Sequence, residues 1–125
     1  MTRKIYSPTI REAVDFTAAQ LRESHVPANI AHSILAATTE GVGNAIRHAT
    51  KSGNTKFILA VIVKRRHVTV EVTDFGPGFS LDGQHMPSPL SEGQRGIPLM
   101  KALMDSVEYI RSSNGNRLRL KKSLP

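Results

Sequence analysis

The chain has 125 residues, a formal net charge of +7 and no cysteine. That is the length of one domain, enough to bury a core, and it excludes disulfide frames, thiolate metal sites and thiol nucleophiles. The charge points to an acidic partner, whether nucleic acid, nucleotide or an acidic protein face, or to nothing more than a solvated basic surface. The longest apolar run, Phe57–Val63, is too short to cross a bilayer. Basic residues near Met1 have no apolar signal region behind them. The expectation is a cytoplasmic protein without a membrane segment.

Ser7-Pro8 is suited to open a helix, because serine caps and proline tolerates the first helical position. Ile10, Ala13, Val14, Thr17, Ala18 and Leu21 then repeat at helical spacing to about Ser24. A second helix is expected from Pro27, with Ile30, Ile34, Leu35, Val42, Ala45, Ile46 and Ala49 on its buried face and Ser52-Gly53-Asn54 at its end. Thr55 to Val63 reads as a central strand, Lys64 to His67 as a turn, and Val68 to Thr73 as a strand with period-two alternation. Residues 80–95 show no period and read as a long functional loop. Ile97, Met100, Leu103, Met104 and Val107 mark a third helix. Tyr109 to Arg111 and Arg117 to Lys121 form a hairpin around Ser112 to Asn116. The order of two helices, two strands, loop, helix and two strands implies an α+β fold of one domain, residues 1–125. It is a two-layer sandwich in which a mostly antiparallel, mixed sheet carries three helices on one face.

Two stretches carry chemistry. The second helix contains Glu40, Asn44 and His48 at i, i+4 and i+8, so they stack on one face. The plain reading of that stripe is a solvated polar face. The same helix accepts Gly41 and Gly43, each costing about 1 kcal/mol against alanine, which suggests close approach of a neighbour there. The strand ending at Asp74 runs into Phe75-Gly76-Pro77-Gly78, a stiff loop poor in side chains that lets a ligand come close to the backbone. Asp74 is then either a turn cap or a ligand contact. Asp74-Phe75-Gly76 also copies the magnesium motif of protein kinases, but the chain is too short for that fold and has no His-Arg-Asp loop. The Gly-Lys-Ser/Thr of P-loop enzymes is absent.

Taken together, Glu40-x3-Asn44-x3-His48, Asp74-x-Gly76-x-Gly78 and Gly93 to Asp105 resemble, in order, the N-box and the two glycine boxes of the GHKL (Bergerat-fold) ATPases. The resemblance is nearest to the small serine/threonine kinases that act as bacterial anti-sigma factors. It implies that Asn44 binds Mg²⁺ beside the phosphates of ATP and that Glu40 is the general base for a substrate hydroxyl. It implies further that Asp74 accepts a hydrogen bond from the adenine amine, with Gly76 and Gly78 making room for the base. His48 would support the nucleotide. Residues 80–95 would form the lid, Arg95 would offer positive charge to the γ-phosphate, and Gly96 would start the third helix with its amides toward the phosphates. A solvated lid arginine is the equal alternative for Arg95. The implied cofactors are ATP and Mg²⁺, and the implied partners are a sigma factor and an anti-sigma antagonist protein; relatives commonly form homodimers.

Three departures stand out: Gln94 replaces an expected glycine, Pro98 falls in the first turn of the third helix, and Gly115-Asn116 stands where the family often has Gly-Thr. A nucleotide-gated binding module without phosphotransfer is the alternative function. A third reading, a nucleic-acid surface, rests on Arg111, Arg117, Arg119, Lys121 and Lys122 alone, and alternating basic residues on a terminal hairpin are more simply a solvated strand face.

Overall fold

The first helix starts at a stronger cap than Ser7. Thr9 accepts from the Glu12 amide through Oγ1 at 3.1 Å, while the Glu12 carboxylate accepts from the Thr9 amide at 2.9 Å. This reciprocal capping box satisfies two amides that have no partner inside the helix, so α1 runs Ile10–Glu23. Ser7 has a positive φ of 46° and ties the N-terminal segment to the sheet instead. Its amide donates to the Phe57 carbonyl at 2.8 Å, and its hydroxyl accepts from the Phe57 amide at 3.2 Å.

The computed structural model describes residues 1–53, 55–75, 92–113 and 115–125, with the backbone alone at 49–52 and 92–96. Its elements in chain order are β1 (Thr2–Tyr6), α1, α2 (Ala28–Ser52), β2 (Phe57–Val63), β3 (His67–Asp74), α3 (Glu92–Leu103), β4 (Ser106–Ile110) and β5 (Asn116–Ser123). The strands form one sheet in the order β1-β2-β3-β5-β4, and every described pairing is antiparallel. The α+β architecture expected from the element order is therefore present.

Several further boundaries differ from expectation, β2 among them, which begins at Phe57 and not at Thr55. β1 is an additional edge strand, paired Ile5 to Leu59 and Arg3 to Val61. His67 belongs to β3 rather than to the turn before it. Val107 lies in β4 rather than on the third helix; α3 ends at Leu103, whose carbonyl accepts the Lys122 ammonium at 2.7 Å, a cation placed where the helix dipole favours one. α3 also begins earlier, at Glu92. Gly96 is thus inside the helix and not at its start, because Glu92, Gln94 and Arg95 are good helix formers that carry the turn past Gly93. Pro98 is correspondingly inside α3, where its missing amide leaves the Gln94 carbonyl without its usual partner.

Side-chain alternation along the strands builds a floor from two cross-strand rows. One row is Ile5, Leu59, Val72, Leu118 and Tyr109, and the other is Val61, Val70, Leu120 and Val107. Onto it pack Ala13 and Leu21 of α1, Ile34, Ala37, Val42 and Ala45 of α2, and Ile97 and Met100 of α3. Thr38 and Thr39 are accommodated in α2 by donating to the carbonyls one turn back, Ile34 at 2.7 Å and Leu35 at 2.9 Å. No described helix is long and apolar enough to cross a membrane.

The opposite face of the sheet carries Arg117, Arg119 and Lys121 of β5. Arg119 is not spare there: its Nε donates to Glu71 at 2.7 Å across the β3–β5 pair, with Glu108 at 4.0 Å. With Lys122 turned to cap α3, two of the five basic residues considered for a nucleic-acid surface have partners inside the fold.

Candidate functional site

The row that ends the floor is polar on two of its three strands. Phe57, Asp74 and Asn116 pair across β2, β3 and β5, and period two puts Asp74 on the same face as Val70 and Val72, toward the helices. The carboxylate is therefore buried, at 5% exposure. A buried carboxylate needs donors, and Asn116 supplies one: its Nδ2 donates to Asp74 Oδ1 at 3.1 Å. Both residues make further contacts. Asn116 was not among the residues expected at the site. In the sequence it stands where the resemblance led one to expect a Gly-Thr pair, and here its amide bonds the Asp74 carboxylate.

Gly115, just before it, has φ +127°, and a Cβ there would stand 3.1 Å from both the Asp74 carbonyl and the Phe75 Cε1. Only glycine suits that conformation, so β5 enters the sheet with its backbone against Asp74 and the Phe75 ring. Phe75 itself is 43% exposed, a large aromatic at the mouth of the row. Gly76 and Gly78, expected to floor a pocket beyond it, lie outside the described residues.

α2 supplies the second wall, packed on both β3 and β5. Gly41 explains the closeness: a Cβ there would sit 3.1 Å from Leu118 Cδ2 and 3.7 Å from Met100 Sδ. Gly43 differs, since a Cβ would meet only the Arg47 guanidinium, at 3.5 Å or more. The close approach expected for both glycines therefore holds for Gly41 alone.

Asn44 follows, and it is almost wholly buried at 1% exposure. Its Oδ1 accepts from Arg47 Nη2 at 2.6 Å, whereas its Nδ2 has no hydrogen-bond partner among the described residues. Such an orphaned amide group is costly, and its place on the chain coincides with the expected metal ligand. Arginine has donors only, so the contact fixes which amide atom is the oxygen. Glu40, one turn earlier, is half-buried, and no hydrogen bond or ion pair ties its carboxylate to another described residue. His48, one turn later, is half-buried and makes contacts of its own.

Asn44 bonds to Arg47 and not to Asp74, so the two halves of the site are separate walls of one helix–sheet interface. Nothing is described of the Arg95 side chain, and the Gly96 amide falls within the α3 ladder. The first-turn amides of that helix that lie ahead of its ladder are those of residues 92–94.

The donor set fits a magnesium ion in one respect. Among the described residues no three His, Asp or Glu gather as a metal site. A cation here would draw on one amide oxygen, phosphate oxygens and water, which is the oxygen-rich, partly hydrated shell that Mg²⁺ prefers.

Three helices on one face of an open antiparallel sheet, with a buried acid closing the third strand, define a GHKL-type α+β sandwich. The profile of the histidine kinase-like ATPase domain matches residues 7–122, and the chain belongs to that family. Among solved structures it is similar to the RsbU and RsbW domains of Rv1364c from Mycobacterium tuberculosis, with a TM-score of 0.72 at 18% identity. The match covers 100% of this chain and 33% of that one, so the likeness is one of fold and spans about a third of the longer protein. A comparison with curated proteins returns no match.

Proposed function

We propose that this chain is a cytoplasmic, Mg-ATP-dependent serine/threonine protein kinase of the anti-sigma type. It would hold a sigma factor in one state and phosphorylate an anti-sigma antagonist protein in another. The observation that carries the nucleotide half is Asp74, a carboxylate buried on the helix-facing side and held by Asn116. An acceptor fixed in that way selects the amine of adenine over the carbonyl that guanine presents at the same position. Gly76 and Gly78 follow it in the glycine-box spacing, and membership of an ATPase family supports the same ligand. Residues 80–95 would form the lid over the phosphates, with Arg95 at its end.

Bound Mg²⁺ would neutralise phosphate charge and orient the transferring group. Asn44 is the residue that would hold it, through an amide oxygen already positioned by burial. Glu40 stands one helical turn before Asn44, with a carboxylate that no described side chain engages. Its role would be to accept the proton of the attacking serine or threonine hydroxyl as the new oxygen–phosphorus bond forms and the bond from the γ-phosphorus to the bridging oxygen breaks, with ADP leaving. His48 continues the same face and supports the nucleotide side of the helix.

The sigma factor and antagonist are proposed from the family resemblance and from the RsbW domain named in the similar structure. The experiment is a pull-down from the native cell with and without ATP, followed by labelled-ATP transfer to the co-purified proteins. Transfer to a captured protein supports the kinase. ATP-dependent capture with no transfer replaces it with a nucleotide-gated binding module, which Gln94 and the Pro98 interruption of α3 favour.

A further inference from the structure

We propose that Arg47 is the resident cation of the Asn44 site, a guanidinium latch that a divalent metal must displace. The inference rests on the reading of Asn44 as the metal ligand and adds how that ligand is guarded. The oxygen that would coordinate metal is the one that accepts Arg47 Nη2 at 2.6 Å, a short, charge-assisted bond. The guanidinium lies against Gly43, with Nη1, Nη2 and Cζ at 3.5, 3.7 and 3.9 Å from the position of a Cβ on that residue. A glycine there gives the planar group an uncluttered bed on the helix.

The latch is incompletely satisfied. Arg47 Nε is buried without a hydrogen-bond partner among the described residues, and so is Asn44 Nδ2. Unpaired buried donors lower the cost of leaving the arrangement, so the closed state holds the amide in place without trapping it. A carbonyl oxygen has two lone pairs, but a guanidinium and a divalent cation sharing one oxygen would repel at short range. Metal entry and Arg47 release are therefore one exchange. In the metal-free protein Arg47 keeps the buried amide oriented, oxygen outward to the donor. In the metal-bound protein that oxygen changes partner.

The exchange is read by affinity ratios and by the arginine itself. ATP is titrated into wild type and Arg47→Met, once with Mg²⁺ and once with EDTA, and the ratio of the two dissociation constants is compared. Methionine keeps an apolar stem and removes the competing charge, so the preference for Mg-ATP should rise by about tenfold. Arg47→Lys, with a charge but no planar fork, should fall between. A purely structural role for Arg47 would change both affinities alike and leave the ratio unmoved, which overturns the latch; so does a ratio that falls, since Arg47 would then be holding nucleotide. In wild type, the Arg47 Nε–H resonance should exchange slowly with solvent in the free protein and under ATP with EDTA, and rapidly under Mg-ATP. Unchanged protection under Mg-ATP overturns the inference even if the variants fail to fold. Wild type that binds ATP in neither buffer overturns the nucleotide reading itself, an outcome distinct from ATP binding with an unaltered ratio.

Discussion

Replacing Asp74 with asparagine leaves the shape of the side chain and reverses the polarity of one of its ends. Aspartate presents acceptors only, and Oδ1 takes the Asn116 amide at 3.1 Å. Asparagine presents one acceptor and one donor. If its oxygen faces Asn116, its NH₂ group meets the adenine amine. If it flips, two NH₂ groups oppose each other across β3 and β5 in a corner where both residues are 5% exposed. Either orientation sets donor against donor. The loss is that of a charge-assisted hydrogen bond, about 1.5–3 kcal/mol, which is roughly 10- to 150-fold in dissociation constant. Stability should change less, because the substitution also removes a buried charge that was costly to desolvate. Calorimetric titration of wild type and Asp74→Asn with Mg-ATP measures the effect, and a thermal melt confirms the fold. A variant that binds Mg-ATP within about threefold of wild type refutes the adenine-reading role of Asp74.

Glu40→Gln should keep Mg-ATP affinity while cutting phosphotransfer by about 10²–10⁴-fold, whereas Asn44→Ala should lose both; equal loss of binding in the two variants removes Glu40 from the role of base. Gly43→Ala should stabilise the protein by about 1 kcal/mol through helix propensity, since its Cβ meets Arg47 at an ordinary 3.5 Å. Gly41→Ala should melt below it, because its Cβ would press on buried Leu118 at 3.1 Å, and overpacking costs about 1–3 kcal/mol; the reverse order contradicts the packing. Asp105 has its pKa lowered, mainly by the Ser123 backbone amide, against opposing desolvation, and further by the Ser123 side chain and the Lys122 ammonium. A lowered folded-state pKa stabilises above the unfolded value and the effect is lost as pH falls through the folded one. Asp105→Asn should therefore melt below wild type at neutral pH, with the gap closing below about pH 4; a gap independent of pH shows that the Asp105 charge is not its source.

Much of the architecture is legible in periodicity. The apolar positions Ile34, Val42 and Ala45 of α2 and the alternation Val68, Val70, Val72 of β3 read directly as a helix face and a strand face, and all six are core residues. β1 is not legible in that way, because Thr2–Tyr6 has basic residues beside its single aliphatic one, Ile5. Its strand state comes from pairing with β2, a tertiary effect that local propensity does not report. The Thr9-x-x-Glu12 capping box is present in the sequence and outranks Ser7 once both partners are weighed.

The site divides along the same line. Asp74 follows from its place at a strand end before two glycines. Asn116 depends on the β3–β5 register, a non-local pairing that skips a helix and a strand; the sequence signal was the substitution in the Gly-Thr position. Arg47 lies three residues after Asn44, a helical neighbour by spacing. The i+4 stripe of Glu40, Asn44 and His48 obscured it. Gly96 reads as a helix boundary in the sequence, but the helix formers before it win locally and α3 starts at Glu92.

Adenine nucleotide binding by this chain is tested most directly by calorimetric titration of the wild-type protein with Mg-ATP against Mg-GTP. A carboxylate acceptor at Asp74 predicts saturable Mg-ATP binding at one site, with Mg-GTP weaker by at least about tenfold. Equal affinity for the two nucleotides, or binding of neither, would contradict it.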